Sequence, residues 1–464
     1  MKRQTVNMLD GALLPSILAY TIPMIASGML QFLYNAADMI VVARFAGGTA
    51  LAAVGSTGSL VSLITTVFMS LAVGSGVAIA HAFGAGDRKE IHEAVHTAMG
   101  VSFVSGLLTM VIGLVIAPYA LQWMNTPPEI IDQATLYLRI YFVGTPAMMI
   151  YNFGSAVLRS VGDTKRPLYI LTFAGLVNVG LNLLLVIVFH MDVAGVAIAT
   201  TASQIISAVL VVLCLVRSDE AYRYRIGKTR IYKDKLMEML RYGIPAGIQG
   251  SIFSISNILI QSSINSFGAA TVAGNAAAST VDGFVYISMN ALYQTCMAFT
   301  AQNVGARQPQ RLKKILFTCL VLVMIVGLTV GLLILAFSEP LLTLFTTTAA
   351  TDATVSPADI LREGTIRLVT LCSTYFLCGV MEVFIGAMRG MGSSWTPMLV
   401  SIAGVCGIRI VYIYTVFTYL YHTLTSLYLS YTFSWFVTIV IHAVCWYFKH
   451  KKTVRELKES PSVA

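Results

Sequence analysis

The sequence predicts an all-α integral membrane protein, with twelve transmembrane helices in two pseudo-symmetric six-helix lobes that form a parallel repeat. Three observations predict it. The 464 residues are 57% apolar and only 11% charged, with a mean hydropathy of +0.78. A soluble domain carries roughly 25% charged residues, so lipid is the solvent here. Apolar stretches of the ~20 residues needed to cross a bilayer recur a dozen times. Finally, short strings return at a nearly constant spacing of 221 to 231 residues.

Apolar runs between charged or turn-rich breaks place the spans near 14–43, 51–83, 93–119, 131–158, 168–190, 193–216, 242–266, 272–301, 315–338, 366–388, 397–420 and 426–448. Pro127-Pro128, Pro167, Pro340 and Pro397 fall at predicted helix ends, where a missing N–H costs little. The start is basic and then apolar, as in a signal peptide. The apolar run continues past Ile40 without a small-residue cleavage site, so it is expected to stay as span 1. The seven cysteines lie inside apolar stretches without a CxxC pair and are expected to be small core residues.

Lysine and arginine set the orientation. With the N terminus inside, the cytoplasmic segments hold 25 of the 30, and the external loops hold only Arg44, Arg362 and Arg367. Arg139 and Arg409 lie within spans. This bias puts both termini in the cytoplasm, with loops near Asn125 and Thr351 outside. The net charge of +9 is a topology signal spread over short loops, so no nucleic-acid partner is expected.

The repeat begins with "YTIP" at Tyr20–Pro23 and "YGIP" at Tyr242–Pro245, 222 apart. "FGA" ending at Ala85 matches "VGA" ending at Ala306, and "LRSVGDTKRP" from Leu158 matches "MRGMGSSWTP" from Met388, 230 apart. Ser203 and Ser434 pair at 231, and the offset grows where the second copy has an extra loop around Ala349–Ser356. The predicted organisation is a six-helix lobe at 1–216, a basic cytoplasmic linker at 217–241, a second lobe at 242–448 and a basic tail at 449–464. An even number of helices per copy keeps both halves in one orientation, an arrangement suited to alternating access.

An ionisable group at membrane depth is costly and faces a cavity or a partner. Three acids qualify: Asp38, Asp282 and Glu382. Gln31, Asn35 and Asp38 share one face of span 1. Asn178 and Asn182 sit one turn apart on span 5. Asp38 with these amides is read as a proton- or cation-binding group; packing glue between helices is the alternative. Span 8 carries Asn275, Ser279, Asp282, Tyr286, Met289 and Tyr293 on one face. A midplane acid between tyrosine and methionine suits a large organic cation. The alternative is a packing face with Asp282 paired to an arginine. Glu382 on span 10 corresponds to Asn152 at the repeat offset, and Asn257 on span 7, beside Gln249, corresponds to Asn35.

"HEAVH" at His92–His96 matches the HExxH pattern of two zinc ligands and a general base, which raises a membrane zinc metalloprotease as an alternative class. Against it, the segment follows "GDRKE" at a helix end, and its repeat partners are Lys313 and Lys314. There is no P-loop, GxSxG or dinucleotide fingerprint, so energy is expected from an ion gradient and no cofactor is expected beyond transported H⁺ or Na⁺.

At these residues the sequence resembles the multidrug and toxic compound extrusion (MATE) family. The strings are "IPMIASGMLQFLYNAADMIVVARFAGGTALAAVG", "LRSVGDTKRP", "NVGLN", "GVAIATTASQ" and "AQNVGA", in order from about Gly11 to Phe448. The resemblance implies a V-shaped twelve-helix bacterial inner-membrane antiporter. It would export small amphipathic, cationic compounds against H⁺ or Na⁺, as a monomer. It implies ion coupling at Asp38 and Asn178, with Asn182 where some members have a second aspartate. In another branch acids on helices 7 and 10 bind sodium; here Gln249 stands on helix 7, with Cys378 and Glu382 on helix 10. Gln31, Asn35, Asn152, Gln249, Asn257, Asp282, Tyr286, Met289 and Tyr293 are the expected cargo residues. A lipid-linked saccharide flippase of the same superfamily is the alternative. Three membrane acids against two buried arginines favour cationic cargo.

Overall fold

The structure is a computed structural model that describes residues 5–124, 126–349 and 356–459. The predicted loops at Asn125 and Thr351 lie outside the described residues. All regular structure in the described residues is helical. The chain divides into two compact units, residues 1–11 with 18–247 and residues 12–17 with 248–464. The division falls inside a helix, so the stretch 217–241 packs with the first unit.

The first unit holds α1 (Leu13–Val41, except its first residues), α2 (Gly47–Ala85), α3 (Arg88–Trp123), α4 (Pro128–Ser160), α5 (Lys165–Asn182) and α6 (Asp192–Val216), and the start of α7 (Lys233–Asn265). The second holds the rest of α7, then α8 (Ala269–Gly305), α9 (Pro309–Ala336), a short α10 (Ser338–Ala349), α11 (Pro357–Cys372), α12 (Tyr375–Gly390), α13 (Trp395–Ser401), α14 (Arg409–Tyr412) and α15 (Leu424–Glu459). Each of the twelve predicted spans has its helix. Span 10 is α11 and α12 together, bent by 46°, and span 11 is a mixed helix over Trp395–Leu420.

Length and composition alone mark eight helical stretches as able to cross a membrane, or nine with the bent pair, and one of them (Leu13–Ala85) contains both α1 and α2. The two long helices left out, α4 and α8, are each the centre of their unit. α4 packs on α2, α3 and α6, and α8 packs on α9, α11 and α12. Neighbouring helices shield them from lipid, so they can carry the polar residues that lower their hydropathy.

The duplication reaches the backbone. Gly86 (φ +73°) and Arg307 (φ +55°) close the turns after α2 and α8, donating to Phe83 and Val304 carbonyls at 3.1 Å each. Gly162 (φ +94°) and Gly392 (φ +77°) end α4 and α12. Their N–H groups donate to Arg159 and Arg389 carbonyls at 3.0 and 2.9 Å, so the two "RxxG" turns are the same left-handed cap. Ser203 and Ser434 each donate back to the carbonyl three residues earlier, Thr200 and Tyr431, at 2.8 Å. Pro23 and Pro245 lie inside α1 and α7, again in register.

One expectation changes. Arg367, assigned to an external loop, is only 8% exposed within α11, because that helix begins at Pro357, nine residues before the predicted span. The basic stretch 217–241 lies against the first unit. Tyr222 and Tyr224 are buried on the first unit's core, and the Tyr224 N–H bonds to the Leu215 carbonyl at 3.1 Å.

The caps generate a stability contrast. Gly162→Ala places a Cβ at positive φ and against the Val6 carbonyl, so it should destabilise the detergent-purified protein by about 1–2 kcal/mol or more. Gly180→Ala, a helical site with open space around it, should be neutral or stabilising by up to ~1 kcal/mol. Thermal unfolding followed by size-exclusion chromatography checks the pair; equal melting for both variants would contradict the cap.

Candidate functional site

In the first unit, Asp38 on α1 is half-buried and accepts a hydrogen bond from Asn182 Nδ2. The same nitrogen lies 3.3 Å from Asn178 Oδ1, and Thr200 Oγ1 on α6 donates to the second Asp38 oxygen at 3.4 Å. Asn178 and Asn182 are 4% and 0% exposed. Three helices thus converge on one carboxylate. Asn182 touches the acid directly, and Asn178 reaches it only through Asn182. Thr200, in the "GVAIATTASQ" string, was not singled out by sequence.

The backbone beside this cluster is unusual. Four residues after Asp38, α1 passes into a π-helical stretch at Val42–Ala46. Immediately after Asn182, α5 passes into another at Leu183–Val188. The second of these recurs in the repeat at Ile413–Leu420, beside no matching acid, so the widened turn belongs to the duplicated fold and not to the acid alone. The repeat does not copy the chemistry: the positions matching Asp38, Asn178 and Asn182 in the second half are Ile260, Ile408 and Tyr412.

Gln31 and Asn35 are exposed on the first unit, as Asn257 is on the second. An exposed amide at membrane depth avoids hydrocarbon, which suits groups that meet a solvated cargo. Asn152 is half-buried, and its amide nitrogen donates to the Met148 carbonyl at 2.8 Å on its own helix.

The second unit separates the expected cargo stripe. Asp282 is 4% exposed and its Oδ2 accepts from Arg367 Nε at 3.1 Å and Nη2 at 2.8 Å. Arg367 Nη1 donates to Asn275 Oδ1 at 2.8 Å, and Tyr428 OH donates to the same oxygen at 3.1 Å. Asn275 in turn donates to Gln261 at 3.2 Å. Asp282 is therefore a neutralised partner in a packing seam, the alternative raised from sequence, and not a free counter-ion. Met289 is wholly buried, seated where α9 and α12 present Gly327 and Gly379. It is a packing residue, because those glycines leave space only for its chain. Tyr293 is 5% exposed and accepts from Arg389, whose other nitrogen donates to Gln249 Oε1 at 2.9 Å. Of the stripe, Tyr286 at 42% exposure and Ser279 remain open.

Glu382 is buried on α12 with no cation among the described residues within 4 Å. Arg409 is 3% exposed. It stacks over Tyr431 at 4.0 Å and donates to Ser434 at 3.4 Å. Arg139, counted as buried from sequence, is exposed. Among the described residues the buried arginines therefore number three (Arg367, Arg389 and Arg409), which removes the charge balance that favoured cationic cargo. Arg367 and Arg389 were missed because the chain shows their place near helix ends and not their burial.

The HExxH segment has a different task. His96 is fully buried, its Nδ1 lies 2.8 Å from the His92 carbonyl, and its Nε2 accepts the Arg225 N–H at 3.2 Å. Both ring nitrogens are engaged by backbone, which leaves no lone pair for zinc.

The protein family model described as MatE matches residues 23–184 and 245–415. A protein described as "Probable multidrug resistance protein YoeA" from Bacillus subtilis (strain 168) is 28% identical over 404 residues, 85% of each chain. The "FAD transporter" of Shewanella oneidensis is 23% identical over 393 residues, covering 83% of this chain and 84% of that one. Among solved structures, an outward-facing multidrug resistance MATE transporter of the MOP superfamily superposes with a TM-score of 0.90 at 21% identity. It covers 99% of this chain and 100% of its own. A two-unit membrane helix fold, a duplicated pattern and a family match in both halves lead to one conclusion: the chain belongs to the MatE family of multi-pass multidrug efflux transporters and is not an enzyme.

Proposed function

We propose that this protein is an ion-gradient-driven antiporter that exports amphipathic organic compounds by alternating access, in exchange for H⁺ or Na⁺. The observation that carries the reading is the Asp38 cluster. A single carboxylate, held by Asn182 and Thr200 and backed by Asn178, can be charged, accepting from these donors, or neutralised, when the buried Asn182 Oδ1, otherwise without a partner among the described residues, can accept from the protonated acid. An amide or hydroxyl can serve either form of an acid, whereas a fixed arginine would lock the charge. Asp282 is locked in that way by Arg367. The ion does work on the cycle only if it favours one conformation over the other. Asp38 fits this role best, with Glu382 as the second acid lacking a close cation.

The resident cofactor set is empty in this reading, nucleic acid is no partner, and the protein works as a monomer in a bacterial inner membrane. The lysine and arginine bias supports cytoplasmic termini. The candidate cargo contacts are open polar groups on each unit by itself, Gln31 and Asn35 on the first and Asn257 and Tyr286 on the second. A second reading, cargo with an acidic group, is favoured by Arg389 and Arg409, buried arginines of the second unit with no carboxylate within 4 Å among the described residues, and by kinship with a relative described as an FAD transporter. Gradient-driven uptake of matched cationic, neutral and anionic dyes into liposomes separates the two.

Asp38→Asn, which mimics the neutral acid, should bind dye within ~3-fold of wild type yet lose uphill transport by at least ~10-fold. Undiminished transport would transfer the role to Glu382. Asn182→Ala should impair the same step more than Asn178→Ala, since a bond to a charged group is worth about 1.5–3 kcal/mol.

Asp282→Asn and Arg367→Gln should each cost about 3–5 kcal/mol, because each leaves one buried partner uncompensated. Transport of cationic and neutral dyes should fall equally in the folded fraction. A selective loss of cationic dye would restore Asp282 as a cargo residue.

Single cysteines in a background lacking the native seven test the orientation. Cysteine at Gly227 should resist an impermeant reagent in intact cells, and cysteine at Thr126 should react.

A further inference from the structure

The first unit has a groove of about 490 Å³ beside α3, α4 and α6, within the ~300–1,000 Å³ range of ligand sites. Its floor is apolar, formed by Met99, Phe103, Val104, Ile150 and Val212. Phe103 and Val104 are 54% and 45% exposed inside a membrane span, so this floor faces hydrocarbon. None of the groove residues belongs to the Asp38 cluster.

The roof comes from the connecting stretch between α6 and α7. Thr229, Arg230 and Ile231 line the groove from above. Backbone bonds to buried side chains of α3 hold that roof in place. Arg225 N–H donates to His96 at 3.2 Å, and Tyr232 N–H donates to Thr97 at 3.1 Å. Tyr224 and Thr229 share a hydroxyl hydrogen bond of 2.6 Å, and Ile231 closes onto Gly100, where no side chain intervenes. A loop tied down this thoroughly presents a fixed rim.

That rim is basic. Arg230 lines the groove, and Arg223, Arg225 and Lys228 are exposed with it on the same connecting stretch; none of the four has an ion pair with a described carboxylate. Arg230 lies over the Tyr232 ring at 5.5 Å, which fixes its position beside the mouth. Clustered basic residues at the end of an apolar slot between membrane helices match one kind of molecule: acyl chains below, a negative phosphate above.

We propose that this groove binds one anionic glycerophospholipid, its acyl chain along Phe103, Val104 and Val212 and its phosphate at Arg230 and Lys228. The bound lipid joins the connecting stretch to α3 and to the leaflet. The site is separate from the ion and cargo groups, so it stands or falls independently of the antiport reading.

Native mass spectrometry of the delipidated full-length protein tests it, with phosphatidylglycerol and phosphatidylethanolamine of identical acyl chains. Phosphatidylglycerol should be retained at least about five-fold better, and Arg230→Gln should reduce its retention by about five-fold. Arg230→Lys should keep most of it. Val104→Trp, which fills the slot and leaves the rim intact, should remove both lipids while the protein still elutes as wild type. In the unsubstituted protein, phosphatidylglycerol should slow hydrogen exchange across 224–231. Equal retention of the two lipids, or no added protection in that stretch, would overturn the site. So would photolabelling of Phe103 by a cationic dye that phosphatidylglycerol fails to displace, which would make the groove a cargo site.

Discussion

Hydrocarbon offers no hydrogen bonds, so each polar group this chain carries into the membrane must find its partner in the protein or in a solvated space. Much of the architecture follows from that demand. The backbone is helical throughout the described spans, and serine and threonine hydroxyls turn back to carbonyls three or four residues earlier, as Thr109 and Thr295 do at 2.7 Å. The long helices α4 and α8, which carry polar side chains along their length, become the centres of their units, where neighbours cover them. For Asp38, Asp282 and Arg409 the structure supplies a donor, a counter-ion or an acceptor from another helix.

Within that demand the two halves diverge. Their turns match to the level of single backbone conformations, because a left-handed cap after "RxxG" depends only on local geometry. Their polar interiors do not match. The first unit gathers one acid with two amides and a hydroxyl, partners that tolerate either protonation or metal occupancy. The second gathers arginines: one pairs with Asp282, one joins Gln249 and Tyr293, and one stacks on Tyr431. Duplication supplied two equal scaffolds, and substitution gave them unequal chemistry.

The HEAVH segment shows how a motif takes its meaning from what surrounds it. Two histidines one helical turn apart are compatible with zinc, and here their rings lie 3.9 Å apart. Yet the deeper ring spends one nitrogen on its own helix and the other on the connecting stretch. The same residue type that ligates metal elsewhere acts as a clasp, and the clasp holds a basic loop over an apolar groove.

The sequence by itself determined the solvent, the number of spans, the duplication and the identity of Asp38, Asn178 and Asn182 as an unusual set. Hydropathy, helical periodicity and spacing are properties of short stretches, so they are legible along the chain. Only the tertiary structure decided which polar group meets which. Asp38 and Asn182 are 144 positions apart, and Asp282 and Arg367 are 85 apart. Nothing local distinguishes an acid awaiting an ion from one already neutralised by an arginine on another helix. The same holds for Met289, which shares a helical face with Tyr286 yet is wholly buried. Its fate depends on where Gly327 and Gly379 bring two other helices, and close packing between distant segments is a property of the folded molecule alone.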